Sequence, residues 1–276
     1  MQNLLQIPNN ISYRYSSTNY SFGSNKVLPK QGLLSEFEFA DLKQYNLPEV
    51  GEYYCGPVSV ASGIVTLVKR GFSLLDNPSE LNLIKELGAY FKTDANGTTT
   101  NNMCNGLEAF IKPKGYQAII KYQGFRPTEQ KYKIAAIPDL NWIKAEMNKN
   151  NIVLLNLGVY KKSTHEGKNI YTRKYGHFVL ATGINHNGLN VDPNYLTIHD
   201  PYDRVKGDHF IKTNKIDKGK FVHNPNDNET SLTNDANGFL EISPRFNYFA
   251  SDEVAVINGV ISLEVKKNNA PIVNLR

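Results

Sequence analysis

The sequence predicts an α+β protein in which helices lead and an antiparallel sheet follows. Three observations predict it. Between residues 55 and 112 apolar residues recur at helical spacing, and after Gly115 they come instead as short runs of β-branched and apolar residues. Neither a repeat period nor a Gly/Ser linker divides the chain, so helices and strands belong to one domain. The 276 residues are enough to bury a sizeable core, and 40% hydrophobic content reads as folded rather than disordered.

Taken in order, residues 1–35 contain no acid and many Asn, Ser and Tyr, which predicts a polar N-terminal arm. The main domain is expected over 36–203, with 204–276 as a β-rich C-terminal extension of the same domain. In "CGPVSVASGIVTLVKRG", from Cys55, the residues Val60, Ile64, Leu67 and Val68 share one helical face. Pro57 suits the first turn, where its missing N–H costs nothing, and Gly71 is a natural stop. Ser59, Ala61, Ser62 and Gly63 are small enough to let another element approach closely. A second helix is predicted from Ser79 to Phe91 after Asn77-Pro78, and a third from about Asn102 to Lys112 before Pro113 and Gly115.

The strand candidates begin with "YQAIIKY" and, after a helix over 139–149, continue with "NIVLLNLGVY", "GHFVLATGIN" and "YLTIHDP". The turn-rich "NHNGLNVDPN" joins the last two. The charge run "KKSTHEGKNIYTRK", 161–174, reads as a solvated loop, or functionally as an anion-attracting lip ahead of His177. An Asn/Asp-rich loop near 223–238 precedes two further strands, "GFLEIS" and "EVAVINGVISLEV".

Composition narrows the function. Cys55 and Cys104 are the only cysteines, too few for a disulfide framework or a thiolate metal cage. The net charge of +5 comes without a basic helix or an aromatic RNA-binding signature, so no nucleic-acid partner is expected. The longest apolar run, from Ile152, is too short and too interrupted by Asn156 to span a bilayer. No basic segment followed by an apolar one opens the chain, so no signal peptide is read. That fits a cytoplasmic protein as well as one exported by another route, and a secreted or extracytoplasmic site is the favoured expectation.

Three segments carry chemistry. Cys55 stands immediately before Gly56-Pro57, where its sulfur would lie over the free N–H groups of a helix's first turn, and the partial positive charge there favours the thiolate nucleophile. His177 opens one strand, and Asp200 closes another just before Pro201. If these strands pair antiparallel through the turn between them, the start of the first lies beside the end of the second. An imidazole held by a carboxylate and facing a thiol is the arrangement of nucleophile, base and orienter.

"YYCGPVSVA", "GHFVLATGI" and "LTIHDPY", in that order, resemble the papain-like cysteine peptidases that process bacteriocin leaders, and more closely their stand-alone double-glycine-peptidase-like relatives. The resemblance implies a papain-like fold, with the nucleophile at a helix N-terminus packed on an antiparallel sheet. It also implies a bacterial hydrolase acting without cofactor or metal on a peptide or protein, peptidoglycan peptide included. Carried onto this chain, Cys55 is the nucleophile, His177 the general base, Asp200 the residue that orients it and Gln44 the oxyanion partner. The resemblance covers roughly 37–203.

Rival readings stand beside these. Cys55 alone would be a small core residue, and His177 a satisfied histidine at a strand edge. His199 competes for the role of base, although strand alternation sends it to the face opposite Asp200. Asp192 and Asp203 are rival orienters. Cys104 is expected buried and inert in a helix, and His165, His186, His209 and His223 lack metal-ligand spacing. The repeated "DANG" at 94–97 and 235–238 reads as turn chemistry rather than a calcium loop. An acyl transferase using the same three residues, a transglutaminase-like enzyme among them, and an inactive papain-like binding module are the alternatives to a hydrolase.

Overall fold

The computed structural model describes residues 51–202, 209–222 and 235–268, all within a compact unit that spans 31–276. Gln44, Asp203, His223, the arm over 1–35 and most of the Asn/Asp-rich loop lie outside the described residues.

Among the described residues, four α-helices form where the local signals place them. Helix α1 runs Cys55–Lys69. It ends in a reciprocal pair of bonds, Gly71 N–H to Val68 O and Phe72 N–H to Leu67 O, with Gly71 at φ 91°. Helix α2, Glu80–Tyr90, is capped by Ser79, whose hydroxyl accepts the Asn82 N–H. Thr99 does the same for α3, Thr100–Ile111, through Asn102, and Asp139 for α4, Leu140–Asn148, through Trp142.

Among the described residues nine strands make one sheet: β1 Tyr116–Gly124, β2 Lys133–Ala135, β3 Ile152–His165, β4 Lys168–His186, β5 Val191–His199, β6 His209–Lys215, β7 Gly219–Val222, β8 Leu240–Ser243 and β9 Glu253–Lys267. Their order is β2-β1-β9-β3-β4-β5-β6-β8, and β8 pairs in turn with β9, so the last six strands of that path close on themselves as a ring. Most pairs are antiparallel, while β1–β2 and β4–β7 run parallel. The result is an α+β fold with a mixed, largely antiparallel sheet.

The two cores explain why β3 and β4 read as nearly continuous apolar runs instead of alternating ones. Leu154, Phe178 and Leu180 face the core built with α1, α2 and α3. Their neighbours Val153, Leu155, Val179 and Ala181 face a second core inside the ring, shared with α4, Phe246 and Phe249. A strand buried on both faces has no polar side. A third, aromatic cluster of Phe125, Tyr160, Tyr171, Phe221 and Phe239 packs separately, with β3, β4 and β7 contributing Tyr160, Tyr171 and Phe221.

One expectation changes. Residues 161–174 are not a loop: β3 and β4 pair as a hairpin up to His165 and Lys168. Its two-residue turn, Glu166 at φ 49° and Gly167 at φ 74°, has both residues in the left-handed region, which suits the strands' twist. Lys161, Lys168 and Lys174 face solvent while Tyr171 and Arg173 are buried, so inward residues are too few to show alternation. The C-terminal segment, read as an extension, supplies β9, which lies between β1 and β3 in the middle of the sheet.

Candidate active site

Cys55 is the first residue of α1. Tyr54 before it provides no side-chain cap, and the first main-chain bond of the turn goes from Val58 N–H to Tyr54 O at 3.0 Å. The opening N–H groups of the helix have no acceptor within it. Gly56 is imposed by packing, since a Cβ there would lie 2.6 Å from Met103 Cε and 3.3 Å from Thr98 Oγ1. One turn on, the buried Ser59 hydroxyl donates to Phe178 O at 3.0 Å and so ties the helix to the strand residue beside His177.

His177 sits in β4, and Asp200 follows the last residue of β5. The two strands pair antiparallel with Leu180 opposite His199, which brings the start of one beside the end of the other. His177 Nε2–H donates to Asp200 Oδ1 at 2.7 Å. The Cys55 side chain at the start of α1 is near enough to act on the charge of this imidazole. The structure therefore brings together Cys55, His177 and Asp200 from three separate elements.

Burial makes this pair electrostatically strong. His177 is 6% exposed and Asp200 0%. Burial alone would push the imidazole down, but the Asp200 charge and hydrogen bond, with the Cys55 thiol, outweigh it and lift His177 to about 10. Burial likewise would raise the Asp200 carboxyl, yet His177, Tyr248 and the Tyr202 N–H hold it well below the usual carboxylate range. At neutral pH the pair is imidazolium and carboxylate.

The other candidates lie elsewhere. His199 is buried in β5 one residue before Asp200, and it is His177 whose ring carries the 2.7 Å bond to that carboxylate. Asp192, near the start of β5, turns its Oδ1 to the Asn194 N–H. Cys104 is buried in α3, where desolvation pushes its thiol up to about 12. His165 is exposed at the hairpin tip, 3.7 Å from Glu166. His186 accepts the Gly188 N–H in a turn, and His209 lies in β6. Both "DANG" stretches are Asp-led turns, with Asp94 accepting Asn96 N–H and Asp235 accepting Asn237 N–H. Among the described residues no group of three or more His, Cys, Asp or Glu could hold a metal ion.

Sequence reasoning missed two neighbours of the pair. Tyr202 donates its backbone N–H to Asp200 Oδ1 at 2.9 Å, and Tyr248 donates its phenol O–H to Oδ2 at 2.5 Å. Both rings stand edge-on to His177, with centroids 6.3 and 6.5 Å away. Tyr202 adjoins the "HDP" motif and was within reach of inspection. Tyr248, in "RFNYFAS", carries no local signal.

No curated protein matches the chain. A model of the Peptidase_C39 like family matches residues 37–233, most of the sequence and the whole span from Gln44 to Asp200. The resemblance read from the residues is thereby borne out: the chain belongs to the Peptidase_C39 like family, a family of papain-like cysteine peptidases.

Proposed function

We propose that this chain hydrolyses a peptide or isopeptide bond through Cys55, His177 and Asp200. The observation that carries the reading is the His177 ring held between the Asp200 carboxylate at 2.7 Å and a thiol at the start of α1. A cysteine with a base on one side and an orienting acid behind that base is the general design of an activated nucleophile.

The steps follow from this placement. With its proton already held on the His177 imidazolium, the Cys55 sulfur attacks the substrate carbonyl carbon as a thiolate to give a tetrahedral oxyanion. The Cys55 backbone N–H, at the helix start, and the Gln44 side-chain amide donate to that oxygen. His177 returns its proton to the departing amine as the carbon–nitrogen bond breaks, leaving a thioester on Cys55. Water then loses a proton to His177 and attacks the thioester, which releases the acid and restores the Cys55 thiolate beside the His177 imidazolium. Asp200 stays ionised throughout and keeps the imidazolium turned toward the sulfur.

The test is incubation with a peptide mixture and, separately, with purified peptidoglycan, followed by mass-spectrometric search for new termini. Wild-type protein should yield cleavage products and Cys55→Ala none, with unchanged thermal unfolding. Products from Cys55→Ala would refute the nucleophile. Conjugates formed with an added amine, in place of free acid, would move the reading to acyl transfer.

A further inference from the structure

Asp200 does more than receive one bond from His177. Its carboxylate has no exposure and takes donors on both oxygens: His177 Nε2–H and Tyr202 N–H on Oδ1, Tyr248 O–H on Oδ2. The first two come from β4 and from the residues just after Asp200 itself. The third comes from 48 residues away, in the segment between β8 and β9. That segment is anchored by aromatic packing. Tyr248 stacks on Phe246 with centroids 5.4 Å apart and planes 3° from parallel, and it meets Phe249 edge-on at 5.1 Å. Phe246 and Phe249 belong to the core inside the ring. The Tyr202 ring lies against Tyr248 at 4.8 Å, so the two tyrosines form a wall along the His177–Asp200 bond.

We infer that Tyr248 is a positioning residue of the reaction, whose phenol O–H fixes the rotation of the Asp200 carboxylate and so aims His177 at Cys55. The inference rests on the Cys55, His177 and Asp200 reading and adds to it a requirement for the C-terminal segment. A carboxylate pinned by donors to one oxygen alone can still turn about its Cβ–Cγ bond, exchanging which oxygen meets the imidazole. A donor on the second oxygen removes that freedom. It also removes the need for a water molecule there, which would screen the imidazolium from its counter-charge. Because the O–H is supplied from the region where β8 and β9 pair, the aim of the base depends on the ring of strands being closed. Tyr202 acts on Asp200 through its backbone, so the two tyrosines make different predictions.

The experiment uses the full chain carrying Tyr248→Phe, Tyr202→Phe or His177→Ala, and needs no known substrate. The rate of Cys55 alkylation by iodoacetamide is followed from pH about 5 to about 9, a range that spans ordinary imidazole titration. Tyr248→Phe should slow alkylation at neutral pH about five- to tenfold, the effect expected for one buried charge-assisted hydrogen bond, and should move the acid limb of the profile upward. Tyr202→Phe should stay within about twofold of wild type, because its backbone donor is retained. The downfield proton resonance of His177 Nε2–H should shift in Tyr248→Phe and hold in Tyr202→Phe, a readout that a purely structural loss would not give. Phenylalanine keeps the ring that packs on Phe246 and Phe249, so thermal unfolding should change little. A Tyr248→Phe profile that superimposes on wild type, or shifts downward, overturns the inference. If His177→Ala slows the reaction and Tyr248→Phe does not, only the role of Tyr248 falls. If neither changes it, the three-residue reading falls as well.

Discussion

Asp200 and Glu146 are both carboxylates sealed inside this protein, 0% and 1% exposed, and both are ringed by donors. Around Glu146 stand Lys149 at 2.7 Å, Lys121 at 3.2 Å, Asn151 Nδ2 at 2.8 Å and the Ser262 hydroxyl at 2.8 Å. These partners come from β1, β9 and the end of α4, so the cluster locks a helix to two strands. Around Asp200 the principal partner is an imidazole, and beyond that imidazole lies a thiol. The difference lies in what the partner can do. Glu146 pushes the Lys149 ammonium further up and so holds it charged, while an imidazole can both take up and release a proton. A buried, well-bonded carboxylate is therefore no signature of catalysis by itself. What marks Asp200 is the titratable group placed between it and a nucleophile.

Asp200→Asn tests the comparison most severely. It keeps the shape and removes the charge that holds His177 protonated, and turnover should fall by about a hundred- to ten-thousandfold while the protein stays folded. An Asp200→Asn protein with near-normal turnover would erase the distinction between the two carboxylates. Glu146→Gln should show the opposite pattern. It leaves Lys149 and Lys121 without their counter-charge and should destabilise the fold by about 1–3 kcal/mol in denaturant titration. Cys55 alkylation should stay within about twofold of wild type, since Glu146 does not touch the site. A large loss of Cys55 reactivity in that variant would mean that the two clusters are coupled.

The pH dependence sharpens the same contrast more gently. Burial tends to raise the Glu146 carboxyl, but its donors prevail and bring it to about 2. A folded value below the unfolded one contributes stability that is present above the usual glutamate range and lost as pH falls toward about 2. The stability gap between wild type and Glu146→Gln should therefore narrow steadily as pH drops below about 4.5. A gap that is independent of pH would contradict the assignment.

How much was legible in the sequence follows from how local each signal is. The limits of α1 rest on Pro57 and Gly71, and those of α2 and α4 on caps at Ser79 and Asp139, all within a turn of the residues they govern. His177 and Asp200 could be paired on paper because β4 and β5 are consecutive strands joined by one turn. The hairpin over 161–174 was hidden because its outward charges mask the two buried positions, Tyr171 and Arg173. The central place of β9 was hidden for a different reason: which strands a C-terminal segment joins depends on long-range closure, not on its own residues. Tyr248 inherits that difficulty, because it meets Asp200 only once the ring of strands is closed.

The central claim is that the His177 imidazole, backed by Asp200, activates the Cys55 thiol. Iodoacetamide labelling of the native protein at neutral pH, mapped by mass spectrometry, addresses it directly. The account predicts that Cys55 is alkylated at least about tenfold faster in wild type than in His177→Ala, while the buried Cys104 resists in both. Equal labelling of Cys55 in the two proteins would contradict it.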